Sequence, residues 1–137
     1  MKHLQDYIEA SNTEILKQNG AFFAFGNKQF EEQKKDGIIY CSLGGGLICP
    51  KENATKILKE IEQVHKNGII QDVEENGAAK IIEREYFNYE MQITWDPSNF
   101  HDEINLYKEV FPELFTDSLI KLVCNLCYRK AIDNDWF

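Results

Sequence analysis

The sequence predicts an α+β fold, a small and mostly antiparallel sheet of about three or four strands packed with about five or six helices. Two observations carry this reading. Between Gly20 and Asn53, three short apolar runs (residues 21–25, 38–43 and 47–49) are punctuated by glycine. The wholly apolar run 21–25 reads as a buried strand, and the other two, on either side of a glycine turn, read as the strands of a hairpin. Outside that region apolar residues recur every three or four positions, the spacing of one helix face.

Each element follows in order. Leu4, Tyr7, Ile8 and Ile15, with Ser11 between them, predict a helix over residues 3–18 that ends at Asn19-Gly20. Residues 21–25 form the first strand. Asn27 is expected to cap a short charged helix anchored by Phe30, with Glu31 near its start and Lys34 and Lys35 near its end, which suits the helix dipole. Residues 38–43 and 47–49 flank Gly44-Gly45-Gly46 as a β-hairpin. Pro50 is expected just inside the next helix, where its missing N–H costs nothing. Ala54, Ile57, Leu58, Ile61 and Val64 form that helix's apolar stripe; Asn67-Gly68 is expected to end it, with a shorter helix over 69–75.

Residues 78–95 carry two periods. Ala78, Ile81, Ile82 and Glu85 keep helical spacing, whereas Phe87, Tyr89, Met91, Ile93 and Trp95 alternate with polar residues. The expectation is a helix giving way near Tyr89 to a strand that ends at Trp95. Asp96-Pro97-Ser98 reads as a turn and cap. Phe100, Ile104, Tyr107 and Phe111 predict a helix stopped by Pro112. A last helix over 117–132 is expected to turn Leu119, Leu122, Val123, Leu126 and Cys127 inward.

A chain of 137 residues is expected to form one domain. No apolar run approaches the ~18 residues that span a membrane. The acidic, polar start lacks the apolar core of a signal peptide, so a cytoplasmic location and reduced thiols are expected. Charge is uneven. Residues 1–70 hold nine basic and nine acidic side chains, and residues 71–137 hold six and fourteen, which places the whole net charge of −8 in the second half. With Arg84 and Arg129 the only arginines, general DNA binding is not expected, because phosphate backbones demand clustered Lys and Arg. The balance suits a protein partner with a basic surface, such as a nucleic-acid-binding effector.

No catalytic constellation emerges. Gly44, Gly45 and Gly46 followed by Lys51 suggest an anion cradle at a helix start, but Leu47-Ile48-Cys49 intervene and a tight hairpin explains the glycines. Tyr40 and Ser42 flank that turn and join it as candidate binding residues. Cys124 and Cys127 lie within an apolar helix, where buried structural thiols are the simpler reading; no metal or cofactor is expected. His3, His65 and His101 are scattered. Asp72, Glu74, Glu75, Glu83, Glu85 and Glu90 are the densest acidic stretch, best read as a solvated face and alternatively as a carboxylate or metal site. Tyr86, Asn88, Tyr89, Glu90 and Trp95 are candidates for an aromatic-walled groove that grips a base or a partner side chain. Trp136-Phe137 either folds back or serves as a docking tail.

Residues 20–25 (Gly-Ala-Phe-Phe-Ala-Phe), Gln29-Phe30, the hairpin from Tyr40 to Gly46, the run from Gly46 to Asn53 and Glu75-Asn76-Gly77 resemble an uncharacterised family of small proteins of bacteriophages, prophages and other mobile elements. The resemblance covers residues 1–95 and leaves 96–137 as a helical C-terminal extension. It supplies no activity. Relatives often carry Asn-His-Glu where this chain has Asn88-Tyr89-Glu90, so a histidine-dependent reaction is not implied here. By analogy of context the resemblance implies an accessory factor that inhibits a host defence component, for example an anti-CRISPR or other counter-defence protein. The alternatives are a nucleotide or small-molecule binder using the glycine hairpin, and a carboxylate- or metal-dependent enzyme around Glu83, Glu85 and Glu90.

Overall fold

The computed structural model describes residues 1–94 and 96–137, with Trp95 outside the described residues. Among them are six α-helices and one three-stranded antiparallel sheet, so the fold is α+β. The chain divides into two compact units, Met1–Gly68 and Ile69–Phe137.

The first unit opens with α1 (Leu4–Gln18), whose exposed start is closed by a reciprocal cap: the His3 N–H donates to Asp6 Oδ2 at 2.8 Å. Leu4 and Ile8 are its buried residues. Asn19 ends it, donating from Nδ2 to the Ile15 carbonyl at 2.8 Å, and Gly20 follows with φ +72°. β1 (Phe22–Phe23) is shorter than the apolar run suggests. In α2 (Asn27–Gln33) the cap position is Gly26 rather than Asn27, and Lys34 pairs back to Glu31 at 2.8 Å. Phe30 meets Phe22 and Tyr40 by ring contact.

β2 (Tyr40–Gly44) and β3 (Leu47–Pro50) form the expected hairpin, and β3 is central in the order β1-β3-β2. Gly44, Gly45 and Gly46 all have positive φ, which explains three successive glycines. Pro50 closes β3 instead of entering a helix; as a strand-end residue it has no ladder N–H to lose. A 3₁₀ turn over Lys51–Asn53 then leads into α3 (Ala54–Asn76).

Helix α3 overturns the expected break at Gly68. It continues unbroken to Asn76, taking in the short helix expected over 69–75. Gly68 serves close approach rather than termination: a Cβ there would come within 3.0 Å of Ile8 Cγ2 on α1. Leu58 also departs from expectation, being exposed while Ile57 is fully buried.

The second unit holds the last turns of α3, then α4 (Ala78–Asn88), α5 (Ser98–Val110) and α6 (Asp117–Asp133). Gly77, at φ +78°, separates α3 from α4. The strand expected from Tyr89 to Trp95 does not form up to Thr94. Hydrogen-bonded turns replace it, with the Glu90 carbonyl accepting from the Ile93 and Thr94 N–H groups. Alternation without a neighbouring strand to pair with cannot hold a strand. Asp96 accepts from the Ser98 N–H at 3.0 Å at the start of α5, and Thr116 accepts from the Leu119 N–H at the start of α6. The core of this unit comprises Ile81, Ile82, Phe100, Ile104, Tyr107, Phe115, Val123, Cys127 and Ala131. Leu122 and Leu126, expected inside, are 55% and 54% exposed.

Candidate functional site

The residues singled out in the sequence divide between the two units. In the first, Tyr40, Ser42 and the glycine turn serve mainly to hold the hairpin. The Tyr40 hydroxyl accepts from the Lys35 N–H at 3.0 Å, and its ring stands edge-on to Phe22 and Phe30. Ser42 Oγ accepts from the Gly44 N–H at 3.2 Å. Gly44 and Gly45 are exposed; Gly46 lies under the Phe25 ring, which occupies the space of any Cβ. Lys51 faces a different surface. It lines an open cleft of about 390 Å³ with Gly37, Ile38, Ile39 and Glu52, and its backbone N–H donates to the Ile39 carbonyl. The glycine turn does not line that cleft.

In the second unit Tyr86 is core, 4% exposed, with its ring edge-on to Phe87 and Phe100. Burial pushes its hydroxyl pKa up to about 12. Asn88 and Glu90 are exposed and Tyr89 is half-buried. Asn88 Nδ2 donates to Glu85 Oε2 at 3.3 Å. Trp95, the fifth residue of this set, lies outside the described residues. The tail folds back: the Trp136 ring stands edge-on to Phe87, Lys130 Nζ lies 5.9 Å from its centroid, and Phe137 meets Tyr128.

The acidic stretch is where the structure departs most from the sequence reading. Asp72 and Glu85 do not belong to a solvated face. Asp72 is fully buried and Glu85 is 2% exposed, and both enclose Arg84. Arg84 donates through Nη1 and Nη2 to the two Asp72 oxygens at 3.0 and 2.9 Å, and through Nε to Glu85 Oε1 at 2.7 Å. The Tyr107 hydroxyl accepts from Arg84 Nη2 and donates to Asp72 Oδ2 at 2.6 Å. Asn76 Nδ2 donates to Asp72 Oδ1 at 2.7 Å. Burial works against the Arg84 charge, but its hydrogen bonds to Asp72 and Glu85 outweigh it and its pKa is raised. Burial and then the bond to Asp72 raise Tyr107 as well. In this network one guanidinium bridges two buried carboxylates, bidentate to Asp72 and through Nε to Glu85. Glu83, by contrast, sits at the surface and pairs with Lys130 at 3.1 Å.

Sequence reasoning missed this network because Asp72, Arg84 and Tyr107 are far apart in the chain. The available signal was a charged pair, Arg84 and Glu85, within a helix whose apolar spacing runs through Ile81 and Ile82.

A second cleft, of about 380 Å³, is lined by α5 and α6 residues including Phe100, Ile104, Ile120, His101 and Cys124. No hydrogen bond joins His101 to Cys124, and burial raises the Cys124 thiol above its ordinary value. The arrangement provides an apolar floor with a polar rim, not an activated nucleophile. Among the described residues, no group of three or more His, Cys, Asp or Glu is placed to hold a metal ion, and no helix is long and apolar enough to cross a membrane.

Comparison with curated proteins and with solved structures gave no significant match. A family model does match, and its span runs from residue 4 to residue 130, well past the 1–95 covered by the motif pattern. Both the hairpin and the residues around Arg84 fall within it, and the chain therefore belongs to a family of unknown function, DUF7659.

Proposed function

We propose that this protein acts by binding, docking its second unit onto a basic protein surface and thereby inhibiting a bacterial host defence component, such as a nucleic-acid-binding effector. The observation that carries this reading is the surface charge of that unit. With Asp72, Glu85 and Arg84 buried together, residues 69–137 present twelve acidic against five basic side chains. Two of those five are already paired, Lys108 with Asp117 and Lys130 with Glu83. Within this unit α6 exposes Leu122 and Leu126, one turn apart on one face, on a helix that itself carries Lys121, Arg129 and Lys130 beside Asp117 and Asp133. Apolar anchors within a charged surface suit a partner interface, where charge sets orientation and apolar contacts supply affinity.

The alternatives draw less support. Ser42 and Tyr40 already accept backbone N–H groups, and Asp72 and Glu85 are committed to Arg84.

Affinity purification of the tagged protein from a defence-bearing bacterial host, with mass spectrometry of proteins and nucleic acids, tests the reading. A stoichiometric basic protein is expected, lost when Leu122→Ser and Leu126→Ser are combined in a chain that keeps its helical circular dichroism. Recovery of no specific protein, together with unchanged protection of phage or plasmid, defeats the proposal.

A further inference from the structure

Cys41 and Cys49 lie equally far from Gly45, and the hairpin makes them directly opposed partners on β2 and β3. Their sulfurs are 3.7 Å apart and both thiols are free. Directly opposed residues of an antiparallel pair have Cα atoms about 4.5–5.5 Å apart. That spacing lies within the about 4.4–6.8 Å that disulfides span. A bond between them therefore needs side-chain rotation and not strand movement. The two thiols differ in access. Cys41 is half-buried, whereas Cys49, on the central strand, is fully buried.

We propose that Cys41 and Cys49 form a dithiol site that reacts with low-molecular-weight disulfides such as oxidised glutathione and closes a cross-strand bond in the hairpin. Cys41 loses its proton to solvent and its thiolate attacks one sulfur of the glutathione disulfide. That S–S bond breaks, a Cys41–glutathione mixed disulfide forms, and the first glutathione leaves as thiolate and is protonated. Cys49 then gives up its proton and attacks the Cys41 sulfur, which forms the Cys41–Cys49 bond and releases the second glutathione. Two electrons pass from the protein dithiol to the glutathione disulfide, which is reduced to two thiols. Burial holds the Cys49 thiol at about 11, consistent with Cys41 as the attacking group and Cys49 as the resolving one. The bond ties β2 to the central strand beside the register shift between Ser42 and Gly44.

The test uses the folded wild-type chain in glutathione buffers of increasing oxidised fraction, followed by acid quench, alkylation, digestion and mass spectrometry. The expected result is an intramolecular Cys41–Cys49 link that increases with the oxidised fraction and reverses in reduced glutathione. Cys49→Ser is expected to accumulate glutathione on Cys41, and Cys41→Ser to leave Cys49 unmodified. Should Cys49→Ser fail to fold by circular dichroism, the wild-type titration decides alone. Full alkylation of both cysteines in fully oxidised buffer, a wild-type reaction that stops at the mixed disulfide, or linkage of Cys41 to Cys124 or Cys127 would overturn the proposal.

Discussion

Arg84 governs the second unit at the scale of single residues. Removing it leaves Asp72 and Glu85 buried without a countercharge, so Arg84→Met is expected to cost about 3–5 kcal/mol. Tyr107→Phe removes one donor to Asp72 and one acceptor for Arg84, at an expected cost of about 1–3 kcal/mol. Both tryptophans, Trp95 and Trp136, belong to residues 69–137, so urea unfolding followed by tryptophan fluorescence reads this unit. An Arg84→Met variant as stable as wild type would show that the network is not needed for folding.

Glu103 gives a pH signature at the same scale. Burial, and then the neighbouring Glu85 charge, raise its carboxyl above the ordinary 4.5. Between those two values the folded state binds more protons than the unfolded, so the contribution of Glu103 to stability falls as pH rises through that window. Glu103→Gln is therefore expected to be more stable than wild type at pH 7, with a flatter dependence above pH 4.5. A less stable variant at pH 7 would refute the assignment.

At the scale of elements, α3 shows how packing overrides a local signal. Asn67-Gly68 reads as a helix end, and in isolation Gly68→Ala would favour the helix by roughly 1 kcal/mol. In the fold its Cβ would meet the branched Ile8 methyl, which cannot swing away like the end of a long side chain. Overpacking costs about 1–3 kcal/mol. Gly68→Ala is thus expected to destabilise the first unit in chemical denaturation, with the loss relieved by adding Ile8→Ala. If Gly68→Ala raises stability by itself, α1 does not approach α3 this closely.

Helix α6 makes a complementary point. Five apolar positions suggested one buried stripe, but a helix against one neighbouring surface buries only part of its circumference. Val123, Cys127 and Ala131 take that part, and Leu122 and Leu126 fall at its edge. Val123→Ala is expected to cost more than Leu126→Ser, which should lie within about 0.5 kcal/mol of wild type. Thermal unfolding of the two variants distinguishes this arrangement from one with Leu126 in the core.

For the whole molecule, charge is the property with the clearest functional consequence. A partner held by an acidic surface should bind faster and more tightly at low salt, and raising ionic strength about tenfold, from about 0.05 M to about 0.5 M, should weaken capture. Salt-insensitive capture would assign the interaction to the apolar residues instead.

The sequence by itself determined the α+β class, the hairpin centred on Gly45, the helix entries at Ser98 and Asp117, the family resemblance, and the gathering of negative charge in the second half. These depend on local spacing, turn chemistry and counting. Only the tertiary structure decided that Gly68 joins rather than ends a helix, that the alternation after Asn88 forms turns up to Thr94, and that Asp72 and Glu85 enclose Arg84. The physical reason is common to all three: each is settled by which residues from elsewhere in the chain come within a few ångströms. Such neighbours close a helix contact, deny a strand its partner or pair a buried charge, and none of them is encoded in the spacing of the residues beside it.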